Sequence, residues 1–165
     1  MKAIDLIRWA LQQSDEGINA IVQDMRGDVA LTQPTDQGGN HPLWVMGHLA
    51  FIEGVVMQIL FGEPNPHERW KHLFATGTEP KPDASLYPPF DEVLGAYRDG
   101  RARTLKRLES VGEEGLDRKP DNVPVGFEEA MKTVGNAFLL LTIHQMVHYG
   151  QIADARRVAG RRPLI

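Results

Sequence analysis

The chain of 165 residues contains no cysteine. That excludes a disulfide framework, a thiolate zinc site, an iron–sulfur cluster and a cysteine nucleophile, and it points to a reducing, cytoplasmic setting. Serine is nearly as scarce. Only Ser14, Ser85 and Ser110 are present, none in a nucleophile context such as G-x-S-x-G. The phosphate-cradling patterns G-x-G-x-x-G and G-x-x-x-x-G-K-[ST] are missing as well. Basic charge is not in surplus: 18 Lys and Arg stand against 22 Asp and Glu, a net −4 that offers nucleic acid no broad electrostatic footing. No useful stretch alternates apolar and polar residues as a half-buried strand would, and no internal repeat is present. The opening M-K-A-I-D-L-I-R breaks its apolar run at Asp5 and Arg8, so it does not read as a signal peptide.

What is present is enough for one core. At 42 % apolar, 165 residues make a single domain over 1–165, which at this size buries roughly 70 % of its unfolded surface. Four long helical segments stand out. The first, about 2–26, puts Ile4, Ile7, Leu11, Ile18, Val22 and Met25 on one face. The second starts near Asn40 as N-cap with Pro42 in its first turn, and ends at Gly62. Six prolines between 62 and 89 leave room only for a short helix over 67–74. The third starts near Pro89 and weakens at Gly112 and Gly115, and the fourth spans about 133–159 with Thr133 as N-cap. Helices with apolar stripes joined by Pro/Gly-rich breaks predict an all-α bundle.

The stretch from Leu43 to Phe61 approaches membrane-spanning length. His48, Glu53 and Gln58 interrupt it and no basic residues flank it, so a buried helix without membrane contact is expected. Trp44, His48, Phe51, Val55 and Ile59 face the bundle. Leu43, Val45, Met46, Ala50, Val56, Met57 and Leu60 spread apolar surface over the remainder, which predicts cover by a second copy in a homodimer. The proline-rich segment folding back is the rival cover.

Histidine carries the chemistry. His67 and His72 flank Glu68 like a zinc-protease motif, but five residues set them about 140° apart on a helix, so surface positions are expected. His144 and His148 are one turn apart on the same face and within the apolar stripe of the fourth helix. His48 lies mid-helix on the stripe of the second, beside small Gly47 and Ala50. Two readings stand for such residues: hydrogen-bonded core histidines, or three ligands sharing one ion with a position left open for water or substrate.

The segment W-V-M-G-H-L-A (Trp44 to Ala50) and H-x-x-x-H-x-G-Q-I (His144 to Ile152) resemble the DinB/YfiT-like family over nearly the whole chain. The resemblance implies an up-down-down-up four-helix bundle, often a homodimer, with a divalent metal held by His48, His144 and His148. Relatives include thiol-dependent S-transferases and isomerases that use low-molecular-weight thiols. A metal-dependent transferase or hydrolase that activates such a thiol, or water, for a small-molecule substrate is therefore expected. The alternatives are a non-catalytic metal- or ligand-binding stress-response module and a metal-free bundle. Nitrogen ligands suit zinc, nickel, copper and iron, with zinc and nickel first. No catalytic side chain is marked by the sequence. His41, Arg101 and Gln151 are candidates for touching substrate, with helix capping, snorkelling and packing as their bland alternatives. Glu53 is expected to pair with a basic residue.

Overall fold

The computed structural model describes residues 1–162 and 164. Five helices form in chain order: α1 (Ala3–Val22), α2 (Pro42–Phe61), α3 (Lys71–Phe74), α4 (Phe90–Gly115) and α5 (Val134–Val158), with no strand among the described residues. Short 3₁₀ turns at Gly27–Leu31, Glu68–Trp70 and Ala84–Leu86 punctuate the connectors. The all-helical expectation holds, and the first helix ends four residues earlier than the sequence suggests.

The helix ends follow local chemistry. Thr133 Oγ1 accepts the Asn136 N–H at 3.1 Å, as an N-cap hydroxyl should. At α2 the cap is His41 and not Asn40: its Nδ1 accepts the Trp44 N–H at 3.1 Å. α4 is broken near its end by Gly112, whose φ of 66° a residue with a Cβ rarely adopts. The turn this permits swings Glu113 onto the start of α1, where its carboxylate accepts the N–H groups of Ala3 and Ile4 at 3.1 and 2.9 Å. A negative group on orphan donors at a helix N-terminus is favourable twice over.

The pairings set the helix directions. Numbering rises together along α1 and α5, where Ser14 meets Gln145 and Ile21 meets Arg156. It also rises together along α2 and α4, where Glu53 meets Arg101 and Glu63 meets Arg107. It runs opposed between α1 and α4, where Ile4 meets Glu113 and Asp15 meets Tyr97, and between α2 and α5, where His48 meets His144 and Phe61 meets Phe138.

α2 is the hub. It is long and apolar enough to cross a membrane, with a mean hydropathy of 1.6, yet 78 % of that stretch is buried inside the fold. The residues expected to await a second copy are already covered: Leu43, Val45, Met46, Ala50, Val56, Met57 and Leu60 are all buried within one chain. The cover comes from α4, α5, the Gly27–Leu31 turn and the proline-rich segment, whose Trp70 and Phe74 are buried against the α2 side of the core. A dimer is thus not required to shield α2. Gly47 makes the close approach possible, since a methyl there would sit 2.3 Å from the Phe74 ring.

Candidate metal centre

α2 and α5 run past each other so that His48, His144 and His148 converge. Their ligand-capable nitrogens all lie within 4.8 Å of one another. His144 Nε2 is 3.1 Å from His48 Nε2 and 3.0 Å from His148 Nε2. His48 and His148 are buried, and His144 is part-buried at the edge of α5.

The two outer rings are locked from behind. His48 Nδ1 donates to the Phe74 carbonyl at 2.7 Å, and the Trp44 indole stacks on the same imidazole at 4.7 Å. His148 Nδ1 donates to Gln151 Oε1 at 2.8 Å, and that amide oxygen also takes the Asn40 Nδ2–H. With Nδ1 carrying the proton in each neutral ring, both Nε2 atoms present a lone pair. Burial holds the rings neutral: it lowers His48 to about 4, lowers His144 to about 3 with help from its two imidazole neighbours, and lowers His148 as well.

The geometry fits a cation. His144 Nε2 carries at most one hydrogen, so it can satisfy only one of its two neighbours and leaves the other Nε2 lone pair, about 3 Å away, without a donor. An ion bound by all three removes the conflict. With Zn–N bonds of about 2.0–2.1 Å, tetrahedral angles put nitrogens roughly 3.3–3.4 Å apart and right angles about 2.9 Å. The two observed separations fall between. Ring nitrogens oriented by a backbone carbonyl and an amide are the usual support of metal-bound histidines.

The triad forms one wall of a cavity of about 500 Å³ between α2, α5 and the 124–131 connector. Ile52, Val55, Ile59, Phe127, Met131 and Leu140 supply most of the rest, and among the described residues no charged side chain lines it. No serine or carboxylate is among the described lining residues, and the one hydroxyl there is that of Thr76.

The family model described as the DinB superfamily matches residues 10–152. The chain belongs to the DinB superfamily. A search of curated proteins finds no match to it.

The other candidates of the sequence lie elsewhere. His41 is fully buried at the α2 cap, where its Nε2 donates to the Lys81 carbonyl at 3.0 Å and its ring meets Tyr87 edge-on at 5.5 Å. It ties the proline-rich segment to the start of α2 and does not line the cavity. Gln151 reaches the site only through His148. Arg101 neither snorkels nor faces the cavity: it is buried in the bundle, with Nη2 2.6 Å from Glu53 Oε1 and donating to Gln145 Oε1 at 2.7 Å. Glu53 thus has the basic partner expected of it. Of the decoy pair, His72 is exposed, while the part-buried His67 ring stacks on Trp70 at 4.6 Å.

Sequence reasoning missed the rest of that polar layer. Gln145, Tyr97, Thr104 and Ser14 are all buried there. Ser14 donates to Gln145, whose amide donates to Tyr97, whose hydroxyl donates to Asp15 at 2.8 Å, while Thr104 donates to Glu53. The available signal was Gln145, a polar residue in register with Leu141, His148 and Ile152.

Proposed function

We propose that this DinB-superfamily protein is a metal-dependent enzyme of the transferase or hydrolase type. Nε2 of His48, His144 and His148 would hold a divalent ion, zinc or nickel first. The observation that carries this is the convergence of three neutral imidazole nitrogens, two of them locked from behind, on an apolar cavity whose described lining brings no serine and no carboxylate. The bound ion supplies Lewis acidity, lowering the pKa of water or of a low-molecular-weight thiol so that a nucleophile exists at neutral pH. The residues then have separate tasks. Phe74 and Gln151 keep two Nε2 lone pairs aimed inward. Trp44 and the aliphatic wall exclude bulk water, which strengthens every electrostatic interaction inside. A cytoplasmic setting, where thiols stay reduced, accords with this reading. The opposed and parallel pairings support an up-down-down-up four-helix bundle.

Metal analysis of untagged protein is the test. About one ion per chain is expected, falling below a tenth in His144→Ala and His148→Ala, and turnover of a thiol with an activated electrophile should follow the metal. Wild-type protein that takes up no divalent ion after reloading refutes the proposal. Bound metal with no thiol- or water-dependent turnover would leave a binding module.

A homodimer belongs to the same reading, now on a different surface from the one that the sequence suggested. Leu139, Ile143, Met146 and Val147 are exposed on the outward side of α5, a contiguous apolar stripe of the kind that marks an interface. Light scattering should give about twice the 18.4 kDa chain mass, and Ile143→Asp should halve it. A wild-type mass that stays at one chain on concentration excludes the dimer.

A further inference from the structure

The lining of the cavity restricts what can enter it, and this inference rests on reading the triad as the reacting centre. Among the described residues fifteen line the cavity, and outside the three histidines only Thr76 and the Trp44 indole of these bring a polar side chain. Trp44 Nε1–H is already spent on the Leu73 carbonyl at 3.0 Å and Thr78 Oγ1 at 3.2 Å. A carboxylate, phosphate or ammonium placed on the aliphatic wall, away from the triad, would lose hydration and find no charged side chain to replace it. An aliphatic or aryl group loses nothing polar. It gains the transfer of each methylene from water, worth about fourfold in affinity. The volume of about 500 Å³ lies inside the roughly 300–1,000 Å³ range of pockets that hold drug-sized molecules. The three imidazole nitrogens supply most of the polar capacity of the described lining, and the Thr76 hydroxyl adds to it.

We propose that the cavity takes an uncharged, elongated apolar group, aliphatic or aryl, from a substrate whose reacting polar function sits against His48, His144 and His148. A thiol co-substrate that carries carboxylates keeps them outside the cavity and offers only its sulfur to the site.

The probe is N-phenyl-1-naphthylamine, a neutral dye that brightens in apolar surroundings, compared with its sulfonated counterpart 8-anilinonaphthalene-1-sulfonate. One neutral dye should bind per chain, at least tenfold more tightly than the anion. Val55→Trp, which fills the cavity, and Ile59→Lys, which puts charge into it, sit at half-buried positions that tolerate change. Each should weaken the neutral dye at least tenfold. Straight-chain alcohols should displace the dye from wild-type protein, gaining about threefold to fourfold per methylene from butanol to octanol, a readout that needs no variant to fold. No saturable binding, equal binding of the anion, or no dependence on alcohol length overturns the inference. Dye binding without metal uptake supports the cavity and refutes the metal reading; metal uptake without dye binding does the reverse.

Discussion

Arg101 offers the sharpest test of the architecture, because a guanidinium near a bundle centre invites a substrate role that its surroundings deny. Its side chain and that of Glu53 are each 3 % exposed, with Nη2 2.6 Å from Oε1. Arg101 Nε and Nη1 have no hydrogen-bond partner among the described residues. Replacing Arg101 by Met keeps the length and removes the charge, which leaves the Glu53 carboxylate buried with only the Thr104 hydroxyl. Breaking one side of a buried pair costs about 3–5 kcal/mol. For a chain of this length that corresponds to a melting temperature roughly 6–20 °C lower. The two halves of the pair should differ. Burial already pushes the Glu53 carboxyl up, against Arg101 and Thr104, which hold it down. Without Arg101 it rises further, so acid relieves the strain by protonating it. The Arg101→Met penalty, measured against wild type at the same pH, should therefore shrink from pH 8 to pH 5. Glu53→Gln strands a guanidinium that cannot shed its proton, so its penalty should not shrink with acid. The double variant Glu53→Leu with Arg101→Met should recover most of the loss, since two apolar side chains leave no uncompensated charge. Thermal denaturation with metal analysis on the same samples is the assay. An Arg101→Met protein as stable as wild type but unable to bind substrate would refute the reasoning and restore Arg101 to the site.

Two further outcomes follow from the histidines. In metal-free protein, His48 is lowered to about 4 and His144 to about 3 by burial, while both titrate near 6.5 when unfolded. Below about pH 6.5 the unfolded chain takes up protons that the fold cannot, so stability is full above that pH and falls toward pH 4, by about 3 kcal/mol for His48 alone; a urea midpoint unchanged between pH 7 and pH 5 would contradict this. Gln151→Leu removes the acceptor of His148 Nδ1–H, so metal affinity by competitive chelator titration should drop about 10–100-fold at unchanged stoichiometry, and an unaltered affinity would show that Gln151 does not orient the ring.

Much of this was legible in single-helix terms. The i, i+4 spacing puts His144 and His148 on one face whatever the neighbours do, and mid-helix His48 is the sole histidine placed to join them. What single helices cannot give is which faces meet. Glu53 and Arg101 each read as a polar intruder on its own stripe, and only the crossing of α2 with α4 makes them partners. α2 was misread for a related reason. A wheel drawn on it favours a second copy as cover, whereas Trp70 and Phe74 come from the proline-rich connector that was the rival reading. The short turns Glu68–Trp70 and Lys71–Phe74 within that connector carry large side chains, and Gly47 lets Phe74 lie directly on the helix. His144 departs from the stripe by one position: Gln145 takes the interior and His144 the edge facing the cavity.

That last displacement links the two polar layers. His144 and Gln145 are chain neighbours about 100° apart around α5, so one faces the cavity when the other faces the bundle interior. Gln145 is held by Ser14 from α1 and by Arg101 and Tyr97 from α4, and these contacts fix the rotation of α5 about its axis. Glu53, five residues beyond His48, is held by Arg101 and Thr104, which fixes α2 in the same frame. The inner layer spends most of its polar atoms on one another, whereas the outer one leaves three nitrogens pointing at a shared centre with too few hydrogens to satisfy them. A helix rotation of some 20° in either element would move a ring nitrogen by more than an ångström at the end of its side chain, enough to spoil a site whose bonds are about 2 Å long. The buried ion pair is thus a poor source of net stability but a stringent gauge of where His48 meets His144.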